Sequence, residues 1–91
     1  LRMQIQVNHD NHVDGAKFID FVEAEVRGAL DRFGERITRV EVHLNDVNAQ
    51  KGGDADARCL MEVRISGQKP LAVTEFAPSV GQAITGAADK L

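Results

Sequence analysis

Tryptophan and tyrosine are absent from this 91-residue chain, and four phenylalanines are its only aromatic residues. The core must therefore be built from aliphatic side chains. A single cysteine, Cys59, excludes an intrachain disulfide. It lies on the apolar phase of a strand pattern, where a buried, unreactive thiol is expected rather than a redox or catalytic one. No apolar run approaches the roughly 18 residues of a membrane span. The first residues carry no apolar signal stretch, and Met3 reads as a natural initiator behind two foreign residues. A cytoplasmic protein with no membrane partner is expected. Basic excess is also lacking: 14 acids face 11 lysines and arginines, for a net charge of −3. Composition alone thus does not point to nucleic acid, although a mildly acidic whole can carry a local basic patch.

The remaining balance, 43% hydrophobic and 27% charged residues, belongs to an ordinary globular chain. The length suits one domain, residues 1–91, with a thin core, since folding at this size buries only about 60–65% of the unfolded surface.

The most informative stretch is Leu30 to Leu44, where apolar spacing changes from helical to strict alternation. Upstream, Phe18, Val22, Val26, Ala29 and Phe33 form one helical face. Downstream, Val40, Val42 and Leu44 alternate with Arg39, Glu41 and His43. The spacing predicts a first strand around Met3, Ile5 and Val7, a helix from about Gly15 to Phe33 and a second strand from about Ile37 to Leu44 or a little beyond. Gly34 stands where the helix would end in a left-handed residue. Asn45 to Asp56 reads as a long, mobile hairpin loop. A third strand follows, with Ala57, Cys59, Met61, Val63 and Ile65 inward; Ser66-Gly67-Gln68 makes a tight connection, and a fourth strand runs from about Pro70 to Phe76. Ser79 and Gln82 have capping-box spacing at the start of a last helix, whose stripe is Val80, Ala83, Ile84, Ala87, Ala88 and Leu91. No stop signal precedes Leu91, which anticipates a longer natural tail.

The order β-α-β-β-β-α predicts an α+β fold of two layers: a four-stranded mixed sheet with both helices on one face. The other face is left open.

The segment Leu-Asp-Arg-Phe-Gly-Glu-Arg-Ile-Thr-Arg-Val-Glu-Val-His-Leu and the closing Ala-Ile-x-x-Ala-Ala-Asp-Lys-Leu from Ala83 to Leu91 resemble the ribosome hibernation-promoting factor and ribosome-associated inhibitor family. That family, also described as sigma-factor modulation proteins, is resembled here in its short form. The resemblance implies the same fold and a factor that binds the small ribosomal subunit and its ribosomal RNA in the channel used by messenger and transfer RNA. Its activity would be inhibition of translation during stress. It further implies, by position, ribosomal RNA contacts at Arg32, Arg36, Arg39 and Lys90, with Arg27 and Lys17 on the first helix beside them. Such residues hold phosphates by charge without reading sequence. Asp20, Glu23 and Glu25 stand where members tend to carry lysines, so weaker RNA binding, lost sooner as salt rises, is expected.

A second reading uses the open face, where Arg58, Arg64 and His43 surround an apolar Leu60; this suits a protein contact or self-association, and leaves a homodimer open. No DNA partner, no cofactor and no metal is expected. His9, Asp10 and His12 lie together, but nothing at zinc spacing completes a set. Asp46-x-Asn48-x-Gln50 lacks the glycine and glutamate of a calcium loop, and Lys51-Gly52-Gly53 lacks the frame of a phosphate loop. No base stands against a nucleophile, and the chain is not expected to be an enzyme.

Overall fold

Period-two alternation along four segments gives four strands, and two stripes at helical spacing give the helices that cover one side of them. The computed structural model describes residues 3–10, 13–46 and 57–91. Strand β1 is Gln4–His9, helix α1 Gly15–Leu30, β2 Ile37–Asp46, β3 Ala57–Ile65, β4 Leu71–Ala77 and helix α2 Val80–Asp89. The sheet order is β1-β2-β3-β4; β1 pairs parallel with β2, and the other pairings are antiparallel. This is the expected mixed sheet in a β-α-β-β-β-α chain.

The core lies between sheet and helices. Val22, Val26 and Leu30 of α1 and Ala83, Ile84 and Ala87 of α2 close over Val40, Val42, Leu44, Cys59, Met61 and Val63, all fully buried. Burying each of the larger of these side chains contributes roughly 1.5–3 kcal/mol. Among the described residues no polar or charged side chain is fully buried. Small residues bring elements close: a Cβ on Gly15 would stand 1.9 Å from the His9 ring.

Two boundaries differ from the sequence reading, the end of α1 and the start of β4, and β2 runs the little way beyond Leu44 that the reading allowed. Helix α1 stops at Leu30, and Asp31–Arg36 continue as a 3-10 turn in which Gly34 takes φ 60°, ψ −130°. That backbone geometry is open to glycine and strained for other residues, so the chain turns here rather than ending in a left-handed cap. Asn45 and Asp46 belong to β2, held by its pairing to Arg58 and Ala57. Pro70 precedes β4, having no N–H to give the ladder. The rest of the expected loop, 47–56, lies outside the described residues.

Helix α2 starts as its spacing predicts: the Gln82 N–H donates to Ser79 Oγ at 3.2 Å. Instead of reaching back to the Ser79 backbone, the Gln82 side-chain oxygen accepts from the Ser79 hydroxyl at 3.0 Å. Asp14 occupies the N-cap position of α1 without a side-chain cap bond. A register shift between Ile37 and Arg39 forms a bulge in β2. It lets Ile37 and Val40 both point inward and turns Arg39 to the open face, a common use of bulges.

Candidate nucleic-acid interface

The topology sorts charge by direction. Strands β1 and β2 run the same way, β3 and β4 alternate, and each helix runs back along the strand before it. The end of the sheet where β2 begins therefore collects the start of β2, the β3–β4 turn and the C-terminal ends of both helices. Six of the lysines and arginines among the described residues fall at this end: Arg27 and Arg32 from α1 and its turn, Arg36 and Arg39, Arg64 and Lys69; Lys90 ends α2, but its ammonium reaches back to the middle of β4. The acids Asp31, Glu35 and Asp89 border it. Two helix C-termini carry partial negative charge there and favour cations. The opposite end holds Asp10, Asp14 and Asp46. Among the described residues most of the positive charge of an acidic chain thus gathers at one end.

These cations are not equivalent. Arg32 is fastened: Nη1 donates to the Ala29 carbonyl at 2.9 Å, Nη2 donates to the Leu91 carbonyl, and the guanidinium lies 4.6 Å from the Phe33 ring centroid. It ties the end of α1 to the end of α2. Lys90 Nζ reaches across to β4, 2.6 Å from the Thr74 carbonyl and 2.9 Å from Glu75 Oε1. Arg39 donates through Nε to Glu41 Oε2 at 2.9 Å and also bonds Gln6. By contrast, among the described residues no ion pair holds Arg27, Arg36, Arg64 or Lys69, and all four are exposed. Lys17 sits at the far end of α1, about 20 Å along the axis from the group. The structure therefore brings together four of the six positions that the resemblance implies, Arg27, Arg32, Arg36 and Arg39, separates Lys17, and turns the Lys90 ammonium back to Thr74 and Glu75. Lys69 was missed by sequence reasoning, because a cation between β3 and β4 carries no periodic signal until that connection is placed at the start of β2, where the Ser66 N–H donates to the Arg36 carbonyl at 2.7 Å.

The open face carries the second set. Across β2 and β3, Arg39 faces Arg64, Glu41 faces Glu62, His43 faces Leu60 and Asn45 faces Arg58. His43 Nε2 lies 3.2 Å from Glu62 Oε1 and 3.6 Å from Glu41 Oε1. The hydrogen bond from Arg39 is the main cause that holds the Glu41 carboxyl below its ordinary pKa, against the opposing effect of burial. At the end of this face away from the cations, Asn8, His9, Asp10, His43, Asn45, Arg58 and Leu60 line an open hollow of about 320 Å³. Arg58 donates from Nη2 to Asn45 at 2.8 Å, while its buried Nε has no partner. Asp10 Oδ2 accepts from the Asp46 N–H at 3.1 Å and ties the end of β1 to β2; His12 lies outside the described residues. Phe76, opposite Arg58 on β4, is 53% exposed.

Burial pushes the Cys59 thiol up to about 12, the inert state expected from its phase in the strand. Among the described residues no helix is long and apolar enough to cross a membrane.

No protein-family model matches the chain, and no curated protein matches it. Among solved structures, the Thermus thermophilus Protein Y N-terminal domain aligns with a TM-score of 0.74, covering 99% of this chain and 90% of that one at 21% identity. The two share a fold. At that identity, the match speaks for the arrangement of strands and helices over nearly the whole chain.

Proposed function

We propose that this chain is a ribosome-associated factor of the hibernation type, binding the small subunit in the messenger and transfer RNA channel and inhibiting translation without catalysis of its own. The observation that carries the reading is the collection of cations from four separate segments at one end of a fold shared with the Protein Y N-terminal domain. The sequence resemblance of Leu30 to Leu44 and Ala83 to Leu91 to the hibernation family supports it independently. In this reading Arg36, Arg64, Lys69 and Arg27 contact phosphates, while Arg32, Arg39 and Lys90 shape the surface that presents them. The protein acts in the cytoplasm, where ribosomes are.

Four unpaired cations set the scale. Neutralising about four phosphates gives a slope of log K against log salt of about −2.8 to −3.6, so affinity falls about 50- to 150-fold between about 50 and 200 mM salt. Removing two by Arg36→Gln with Lys69→Gln should halve that slope. Lys17→Gln should leave it unchanged. Arg32 and Lys90 are poorer probes, since their replacement also loosens the helix ends. A slope indifferent to Arg36 and Lys69 would remove this end from the contact.

The exposure of Phe76 beside Arg58 and Leu60 favours one other reading, a protein-interaction or self-association module that keeps the fold without the ribosome. Dimerisation insensitive to salt and abolished by Phe76→Ser, with no ribosome binding, would select it.

A further inference from the structure

The open face brings two carboxylates and an imidazole together in a way that the ribosome reading does not use. We propose that Glu41, His43 and Glu62 form a binding site for a divalent transition metal. Glu41 and Glu62 are direct partners across β2 and β3. Carboxylates so placed repel each other unless a cation lies between or beside them. His43, two residues along β2 from Glu41 on the same face and diagonal to Glu62, turns its Nε2 toward both, at 3.2 Å from Glu62 Oε1 and 3.6 Å from Glu41 Oε1. All three donor atoms lie within 4.8 Å of one another.

These spacings fit coordination. With zinc bonds of about 2.0–2.2 Å to imidazole nitrogen and carboxylate oxygen, neighbouring donors of a tetrahedron stand about 3.3–3.6 Å apart. Both edges that include His43 are already near that range; a small rotation of either glutamate closes the third. Arg39 supplies the outer support that metal-binding carboxylates usually have: it holds Glu41 through Oε2, which leaves Oε1 facing His43. The platform is two paired strands rather than a loop, so the spacing is set by the register. Side-chain exposures of 28% for Glu41, 31% for His43 and 51% for Glu62 leave the remaining coordination positions open to water or to an incoming ligand.

The donor set selects the class of ion. Calcium and magnesium prefer six or more oxygens, whereas one imidazole with two carboxylates suits zinc and its neighbours. Arg64, opposite Arg39 at the border of the site, opposes a second cation. Its removal should therefore tighten binding.

The test is a titration of the whole chain with zinc chloride in a non-coordinating buffer, read by calorimetry and by the histidine ring signals in NMR. One equivalent is expected to bind, with the His43 signals moving before those of His9 and His12. His43→Gln and Glu62→Gln should each weaken binding at least about ten-fold, His9→Gln should not, and Arg64→Gln should strengthen it. Glu62 is half exposed, so its variant keeps the fold even if the His43 variant is perturbed. Absence of saturable binding, or binding that survives Glu62→Gln and follows His9 instead, would overturn the site. Neither result bears on ribosome binding.

Discussion

Replacing Ile84 by alanine probes whether this fold rests on a core on one side of the sheet. Ile84 is fully buried in the middle of α2, among Ala83, Ala87 and the inward residues of the central strands. The substitution removes three carbons, about 2.4 kcal/mol of transfer free energy at about 0.8 kcal/mol each. The cavity left behind raises the loss to roughly 3–4 kcal/mol, inside the range of about 2–5 found for such truncations. A chain of this length has only about 5–14 kcal/mol of total stability, so half or more of a low value would be lost. In urea unfolding, with a slope of about 1–1.5 kcal/mol per molar, the midpoint should drop by about 2–4 M. Phe76→Ala is the control. Its ring is larger but 53% exposed on the open face, and its loss should cost less than about 1 kcal/mol. If Phe76→Ala cost as much as Ile84→Ala, the open face would be a second packed surface, and the two-layer account would be wrong.

Other consequences are as specific. Ser79→Ala removes the acceptor for the Gln82 N–H and should cost about 1 kcal/mol in urea unfolding; no measurable loss would show that the cap bond contributes nothing in solution. Gly34→Ala should destabilise by about 1–3 kcal/mol, because φ 60° with ψ −130° is strained for any side chain, whereas Gly28→Ala on the exposed side of α1 should stabilise by roughly 0.8–1 kcal/mol. Equal effects of the two would contradict the turn geometry. Cys59, with its thiol pushed to about 12 by burial, should react with a disulfide reagent at mildly alkaline pH only as fast as the chain opens. Rapid labelling of the native protein would refute its burial.

Much of the architecture was legible in the sequence because the signals were local. Met61, Val63 and Cys59 announce their face by alternation alone, and the stripe from Ala83 to Ala88 announces that of α2. The end of α1 was not legible. Phe33 continues the helical spacing, yet it is only half-buried and belongs to the 3-10 turn, since Gly34 requires the chain to bend before β2. The bulge at the start of β2 was hidden for a related reason: Ile37 and Val40 are both inward, which simple alternation forbids.

The site was legible in part. Arg27, Arg32, Arg36, Arg39 and Lys90 were named from resemblance, but a sequence does not say that Lys17 lies at the other end of the helix or that Lys90 is bound to Glu75. Nor does it place the β3–β4 connection that carries Lys69 at the start of β2, where Ser66 bonds the Arg36 carbonyl. The grouping of Glu41, His43 and Glu62 likewise arises only from the register between two strands.

The central claim is that a chain of net charge −3 binds ribosomes through one basic end. It is tested most directly by sedimenting the purified protein with small subunits through sucrose at low and then moderate salt. The account predicts pelleting at low salt that falls steeply as salt rises and is weakened by Arg36→Gln with Lys69→Gln. Absence from the pellet at both salts, or pelleting that these substitutions leave untouched, would contradict it.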